Sequence, residues 1–307
     1  MKINCKYIWM DGELLEADKA VVPFLSSALH YGMAAFEGIR CYKTDRGPAV
    51  FRLKDHMKRL LDSAKIFGFR KFPYSQEDLC SAVKETIKAN EFMECYIRPL
   101  VMHDGSIASL SLGDGIAKVG IAVWSWDAYF EGATADQGVR MNVSSYTRHH
   151  PNVTMTKAKI TGNYANSTLA KTESVRLGFD EAVMLDPQGY VAECSGENLF
   201  LVHNGKIYTP PLGAVLEGIT RDAIMTLAGD LGYTVIEDVI SRDQLYTAEE
   251  LFVCGTAAEC IAISEVDFRT IGSGRRGPIA QRIQQSYFDA VHGKHPRSSA
   301  WLDYVDE

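Results

Sequence analysis

The composition of the chain changes near residue 127, and this change constrains the fold more than any other feature of the sequence. The segment DAYFEGATADQG is small and acidic and follows neither the helical nor the strand period. Segments with clear periodicity precede and follow it. We therefore predict two domains: a small α+β domain over residues 1–127 and a larger domain over 139–307, joined by a linker over 128–138.

Within both domains, apolar spacing and turn residues predict an alternation of strands and helices. Ser75 is suited to cap a helix, and Gly178 is suited to end one. In the small domain we expect short strands over 4–43, helices over 54–68 and 75–90, and strands over 96–102 and 118–126. In the large domain we expect helices over 164–177, 220–231 and 278–292, and strands over 181–186, 190–194, 234–240 and 250–255.

The charge and cysteine content exclude several classes of protein. A formal net charge of -7 disfavours nucleic-acid and anionic-membrane partners, which require a dense cationic surface. The seven cysteines are odd in number and never spaced as CxxC, so they predict neither a disulfide framework nor a zinc site. The polar N-terminus and the lack of a long apolar run disfavour a signal peptide or membrane span. We expect a cytoplasmic protein without a bound metal.

A glycine-rich segment, GSGRRG at 272–277, matches the dinucleotide-binding fingerprint. A dinucleotide-binding unit needs a further strand with an acidic residue about 20 positions on, and too little chain remains here. We interpret the segment as a turn leading into the helix that begins at Pro278. The neighbouring His149 and His150 diverge in direction and predict a loop rather than a metal site.

Seven short segments, taken together and in this order, carry the functional signal. They are ALHYGMAAFEGIR (28–40), HMKRL (56–60), YIRPL (96–100), KITGNY (159–164), ECSGENLF (193–200), LEGITRD (216–222) and CGTAAE (254–259). In order and in content the chain resembles the branched-chain amino acid aminotransferases. This resemblance, which spans nearly the whole chain, implies the two-domain α+β fold of the fold-type IV pyridoxal-phosphate enzymes, with the cofactor between the domains.

The resemblance assigns pyridoxal 5'-phosphate as the cofactor, bound by the large domain, and Lys159 of that domain as the lysine that binds its aldehyde. Once substrate displaces it, Lys159 would carry the proton between the substrate Cα and the cofactor. Tyr164 would bond the phenolic oxygen of the cofactor, and Glu193 would keep its ring nitrogen protonated. The other implied cofactor residues are Arg59, Gly196, Leu216, Ile219, Thr220 and Thr256.

Phosphate binding is also favoured by the local sequence. In LEGIT a glycine precedes the amphipathic helix that starts near Thr220, so free N–H groups at the helix start are available to an anion. An ordinary helix entry would have the same appearance. The resemblance adds the guanidinium of Arg59 and the hydroxyl of Thr256.

For the substrate, Tyr96 and Arg98 lie at i and i+2 of a predicted strand and therefore on one face. The resemblance implies that Tyr96 holds the α-carboxylate, while Arg98 orients Tyr96 and receives the side-chain carboxylate of glutamate. The other implied substrate residues are Phe36, Tyr31, Trp126, Tyr129, Gly255, Thr256 and Ala257, and the loop around Ile107–Leu110 would come from a second subunit. Aromatic residues such as Trp126 would equally suit plain core packing.

The implied reaction transfers the amino group of L-leucine, L-isoleucine or L-valine to 2-oxoglutarate in two ping-pong halves. The implied assembly is a homodimer at least, or a hexamer. Three alternatives share the fold: a D-amino acid transaminase, an (R)-amine transaminase and an aminodeoxychorismate lyase. Tyr96 and Arg98 disfavour these three. A catalytically inactive pyridoxal-phosphate carrier is disfavoured by Lys159, Tyr164 and Glu193.

Overall fold

The structure is a computed structural model that describes residues 3–103, 110–112, 117–126, 129–130 and 136–307. The chain folds into two compact units. The first contains Met1–Asp127, Ala158–Asn163 and Ala290–Glu307, and the second contains Ala128–Lys157 and Tyr164–Asp289. The first break follows Asp127. Unlike the predicted division, however, residues 158–163 and 290–307 belong to the first unit.

The short segment Ala158–Asn163 joins the first unit because its apolar residues and its backbone are satisfied there. Ala158 and Ile160 are buried in the core of that unit. Ile160 forms a β-bridge with Ala35, and the Phe36 amide donates to the Lys159 carbonyl at 3.0 Å. The lysine singled out from the sequence therefore lies in the first unit.

The helices and strands of the first unit form one sheet with two long helices against it. In chain order they are β1 (Tyr7–Met10), β2 (Glu13–Glu16), α1 (Ser27–Tyr31), β3 (Ala34–Phe36), β4 (Ile39–Thr44), β5 (Gly47–Phe51), α2 (Leu53–Phe67), α3 (Gln76–Ala89), β6 (Cys95–His103) and β7 (Ala117–Trp124). The C-terminal segment adds the strand β17 (Leu302–Tyr304) after the short helix Ser298–Trp301. The strand order is β17-β5-β4-β6-β7-β1-β2, and β3 pairs with β6. Every described pairing in this sheet is antiparallel.

The second unit is built on a mixed sheet. Its elements are β8 (Val139–Val143), α4 (Tyr164–Arg176), β9 (Glu181–Leu185), β10 (Val191–Cys194), β11 (Asn198–His203), β12 (Lys206–Thr209), α5 (Ile219–Asp230), β13 (Val235–Glu237), α6 (Arg242–Thr247), β14 (Glu250–Gly255), β15 (Glu259–Val266), β16 (Arg269–Thr270) and α7 (Pro278–Val291). The last two residues of α7 are assigned to the first unit. The strand order is β10-β9-β8-β15-β14-β11-β12-β13, with β16 beside β15. Parallel pairing of β8 with both β9 and β15 places β8 inside the sheet.

Several predicted elements are confirmed almost to the residue. Helix α3 starts after Ser75, whose hydroxyl accepts from the Asp78 amide in a capping box. Strand β14 coincides with the predicted 250–255. The region 4–43 also holds a helix, α1, which was predicted only as strands and turns. At five residues, α1 is too short to show a helical period.

The glycine-rich segment 272–277 leads into helix α7, as predicted, and the start of that helix is capped by a buried carboxylate. Glu250 accepts hydrogen bonds from the amides of Ile279 at 3.0 Å and Ala280 at 2.8 Å. A Cβ at Gly277 would lie 2.1 Å from the Glu250 carboxyl carbon, so this position requires glycine.

Among the residues described, no helix combines the length and apolar character needed to cross a bilayer.

We expect Gly277→Ala to lower the free energy of unfolding by about 2 kcal/mol, because the added methyl would displace the carboxylate that caps α7. Urea denaturation measures this. The matched control is Gly229→Ala in α5, where the new methyl meets open space. Because alanine favours the helix, the control should gain about 0.5–1 kcal/mol. Equal stability of the two variants would contradict this account of the helix start.

Candidate active site

Lys159 is held by its backbone on both sides. Its carbonyl accepts from the Phe36 amide at 3.0 Å, and its amide donates to the Ser63 hydroxyl at 3.0 Å. The amine lies 4.9 Å from the centre of the Phe36 ring. The chain thus fixes the Lys159 backbone and leaves a flexible stem of four methylenes to carry the amine.

A contact between two glycines fixes the turn that follows Lys159. The Gly162 amide donates to the Gly32 carbonyl at 3.3 Å, and the Thr161 hydroxyl donates to the same carbonyl at 2.8 Å. Gly32 ends α1 in the left-handed region with φ of 64°. A Cβ there would lie 2.6 Å from the Gly162 Cα, so the close approach needs glycine at residue 32.

Arg59, a predicted phosphate ligand, is oriented by a fully buried carboxylate. Glu37 accepts from the Arg59 Nε at 2.7 Å and from an Arg59 terminal nitrogen at 2.9 Å. The His56 Nδ1 lies 2.8 Å from the same carboxylate. Burial opposes ionisation of Glu37, but the charge of Arg59 and the hydrogen bonds from His56 and Arg59 hold its pKa well below the usual range. Burial lowers the pKa of His56, so the imidazole is neutral and donates its Nδ1 proton.

Four predicted substrate residues of the first unit form a cluster of three aromatic rings and one guanidinium. Arg98 donates to the Tyr96 hydroxyl at 3.1 Å and lies 4.8 Å above the Phe36 ring. The Tyr96 and Trp126 rings are 4.4 Å apart. A Cβ at Gly38 would lie 2.0 Å from the Tyr96 hydroxyl, so a glycine makes room for it.

Two further predicted substrate residues, Tyr31 and Tyr129, lie in α1 and in the second unit. Tyr31 is the last residue of α1 and is 44% exposed. Tyr129 belongs to the second unit, where its ring contacts Phe130 at 4.8 Å and lies 5.0 Å from the Lys171 amine. Of the predicted loop Ile107–Leu110, residues 107–109 lie outside the described residues. Leu110 is described and is 75% exposed.

In the second unit, Glu193 is a buried carboxylate with three donors. Arg148 forms an ion pair with it at 2.7 Å, and both side chains are less than one-tenth exposed. The Leu216 amide donates to the other oxygen at 3.1 Å, and the Asn198 side chain donates to it at 3.4 Å. The charge of Glu193 is thus balanced by Arg148, and its position is fixed.

Two glycine contacts bring the remaining predicted residues of the second unit to Glu193. Gly255 leads into the β14–β15 turn with Thr256 and Ala257, and a Cβ on it would lie 3.2 Å from the Gly196 carbonyl. A Cβ on Gly218 would lie 2.0 Å from the Asn198 side-chain oxygen. The turn at 255–257 and the start of α5 therefore lie beside the segment 193–198.

Helix α5 begins at Ile219 after Gly218, and no side chain caps it. The first amides of a helix have no partner within the helix, so those of Ile219 and Thr220 are suited to bind an anion. Tyr164 begins α4, and the Ser167 hydroxyl one turn later accepts from Arg148 at 3.4 Å. The helix of Tyr164 is thus tied to the arginine that holds Glu193.

Sequence reasoning missed the residues that hold the predicted ones: Glu37, His56, Ser63, Arg148 and Asn198. Glu37, His56 and Asn198 stand within the quoted motifs, so their presence there was the available signal. Ser63 and Arg148 lie outside the motifs, and nothing in the sequence pattern marks them.

Where the chain is described, no cluster of His, Cys, Asp and Glu side chains could hold a metal ion.

The chain is similar to known aminotransferases. Residues 34–266 match the family model for amino-transferase class IV. The chain is 47% identical over 298 residues to a branched-chain-amino-acid aminotransferase of Pseudomonas aeruginosa, covering 97% of both chains.

Two solved structures of a T.th. branched-chain amino acid aminotransferase are also similar. One is complexed with N-(5'-phosphopyridoxyl)-L-glutamate and is 45% identical; the other contains pyridoxamine 5'-phosphate and is 46% identical. Each has a TM-score of 0.93, with 99% of this chain and 100% of the other covered. The predicted fold and resemblance are confirmed. The chain belongs to the class IV aminotransferase family and, within it, to the branched-chain-amino-acid aminotransferases.

Proposed function

We propose that this protein transfers amino groups between branched-chain L-amino acids and 2-oxoglutarate with pyridoxal 5'-phosphate as cofactor. The observation that carries the proposal is the cluster of Phe36, Tyr96, Arg98 and Trp126. It offers apolar surface for a branched side chain and a guanidinium for a second carboxylate. An enzyme that alternates between leucine and glutamate needs both.

The residues of each unit fit the cofactor. Bound pyridoxal phosphate supplies a carbonyl carbon that accepts the amino group and a ring that stabilises negative charge at the substrate Cα. In the first unit, Lys159 would bind the aldehyde and Arg59, oriented by Glu37, would bind the phosphate. In the second unit, the fixed carboxylate of Glu193 would pair with the ring nitrogen, Tyr164 would bond the phenolic oxygen, and Gly196 and Leu216 would border the ring.

The phosphate would also meet the amides of Ile219 and Thr220 and the Thr256 hydroxyl. An uncapped helix start carries partial positive charge, which suits a dianion. The Lys159 amine, once free, would take a proton from the substrate Cα and return it.

The α-carboxylate of the substrate would bind the Tyr96 hydroxyl and the amides of the turn Gly255–Thr256–Ala257. Arg98 would keep Tyr96 in place and would pair with the distal carboxylate of glutamate. With leucine bound, the guanidinium would stay over the Phe36 and Tyr96 rings, where it is stabilised by cation–π contacts at 4.8 and 5.3 Å.

A homodimer is the proposed assembly. The segment 21–31 exposes six large apolar side chains, which is unusual for a free surface and typical of an interface. They are Val21, Val22, Phe24, Leu25, Leu29 and Tyr31. A second copy of the chain would cover them.

The seven cysteines are all free, which fits a reducing cytoplasm.

The first expected result is optical. The purified protein should show the visible band of lysine-bound pyridoxal phosphate, and L-leucine without any oxo acid should bleach it, because the first half-reaction consumes the aldehyde. Absorption spectroscopy records this directly. D-Alanine should leave the band unchanged, Lys159→Ala should lack it, and the exposed-lysine control Lys65→Ala should retain it. Bleaching by D-alanine alone would favour a D-amino acid transaminase.

The second expected result concerns Arg98→Ala. Loss of the guanidinium should lower kcat/KM for glutamate by about 100-fold and for leucine by less than about tenfold, because only glutamate carries the second carboxylate. Steady-state kinetics with each donor measures the difference. Arg98→Lys keeps the charge without the planar arrangement of donors. Its kcat/KM for glutamate should fall between those of the unsubstituted protein and Arg98→Ala. Equal losses for both donors would refute this role of Arg98.

The third expected result concerns assembly. Phe24→Asp places a charge on a side chain that is 75% exposed in one chain. It should shift the protein from dimer to monomer in sedimentation velocity, since an unpaired charge in an apolar interface is costly. Phe268→Asp, at a site 73% exposed and far along the chain, is the matched control. A Phe24→Asp protein that stays dimeric would exclude segment 21–31 from the interface.

A further inference from the structure

Ser63 has no place in the proposed chemistry, yet it touches the backbone of the proposed catalytic lysine. Its side chain is fully buried in α2, at 0% exposure. Its hydroxyl accepts a hydrogen bond from the Lys159 amide at 3.0 Å, across 96 positions of sequence. A buried serine bonded to a distant segment calls for a reason beyond helix formation.

Three other helical hydroxyls of this chain behave differently. Ser81, Thr86 and Ser174 each donate to the carbonyl four residues earlier in their own helix, at 2.9, 2.6 and 3.1 Å. That bond satisfies the hydroxyl without involving any other element. The Ser63 hydroxyl instead serves the segment that carries Lys159.

The position of Ser63 on α2 relates Lys159 to the predicted phosphate ligand. His56, Arg59 and Ser63 are separated by three and four residues and so lie along one face of the helix. His56 and Arg59 both bind Glu37, and the neighbouring Phe36 binds the Lys159 carbonyl. One rigid helix face therefore sets where the Arg59 guanidinium and the Lys159 backbone stand relative to each other.

We propose that Ser63 is a positioning residue for Lys159, holding its backbone so that the amine reaches the carbonyl carbon of pyridoxal phosphate. This inference rests on the proposed function. Without the hydroxyl, the Lys159 amide would lose its acceptor, and the segment would be held only by its other contacts. The amine would then sample more positions, and attachment to the cofactor would slow.

The test compares Ser63→Ala and Ser63→Cys with the control Ser174→Ala, an equally buried helical serine whose hydroxyl bonds within its own helix. Cysteine keeps the approximate size of serine but is a weak acceptor, so it separates the hydrogen bond from the filled volume. Hydrogen–deuterium exchange reports the protection of the Lys159 amide. Borohydride fixation followed by peptide mapping reports the rate at which pyridoxal phosphate attaches to Lys159.

Both Ser63 variants should show about tenfold faster exchange at the Lys159 amide and about tenfold slower attachment, the factor expected from one lost hydrogen bond. The control should change neither. Unchanged exchange and attachment in Ser63→Cys would overturn the proposal, even if Ser63→Ala failed to fold. Equal losses in Ser174→Ala would also overturn it, because they would reflect general loosening.

Failure of the proposed function would look different. If borohydride fixed no pyridoxal phosphate at Lys159 in the unsubstituted protein, the cofactor assignment would fall. The exchange measurement would still decide whether Ser63 holds the Lys159 amide.

Discussion

A single buried carboxylate, Glu37, helps to position the residues of the first unit that are proposed to bind the cofactor. Placing a charge in a core is costly unless donors surround it, and Glu37 has two from Arg59 and one from His56. The bidentate pair fixes the plane of the Arg59 guanidinium, so the remaining donors of that group have a defined direction. The residue before Glu37 is Phe36, which binds the Lys159 carbonyl. These two adjacent residues thus hold both the proposed phosphate ligand and the proposed catalytic lysine.

In the second unit, two glycines help to fix the positions of neighbouring groups, as the Glu37–Arg59 ion pair does in the first unit. Gly255 packs against the Gly196 carbonyl and Gly218 against the Asn198 side chain, where an added Cβ would lie 3.2 and 2.0 Å from those groups. As a result the turn with Thr256, the start of α5 and the Glu193 carboxylate are held together by backbone contacts and by Asn198. Backbone amides placed this way cannot rotate away, unlike long side chains. They would bind the proposed phosphate with little loss of conformational entropy.

Much of the fold could be predicted because local signals were strong. Ser75, as a plausible helix cap, predicted the start of α3, and the apolar run at 250–255 predicted β14. The membership of residues 158–163 in the first unit could not be predicted, because it depends on one bridge to Ala35 and on hydrogen bonds to Ser63 and Phe36. Contacts between segments so far apart leave no periodicity in either one. For the same reason the motifs identified Lys159 and Arg59, while the residues that hold them had to be found in the structure.

Glu37 and Glu193 show how one arrangement serves two purposes. Each is a buried carboxylate paired with an arginine, Arg59 or Arg148. In the first pair the carboxylate is fully enclosed and the arginine is 13% exposed, so the guanidinium is the member able to reach a ligand. In the second pair arginine and carboxylate are buried alike, at 8% and 6%, and further donors converge on Glu193. There Arg148 is anchored by Ser167 and acts as the support, which leaves the carboxylate as the proposed partner of a cationic ring nitrogen. The same type of ion pair would therefore present a positive group in the first unit, where the carboxylate is enclosed, and a negative group in the second, where Ser167 anchors the arginine.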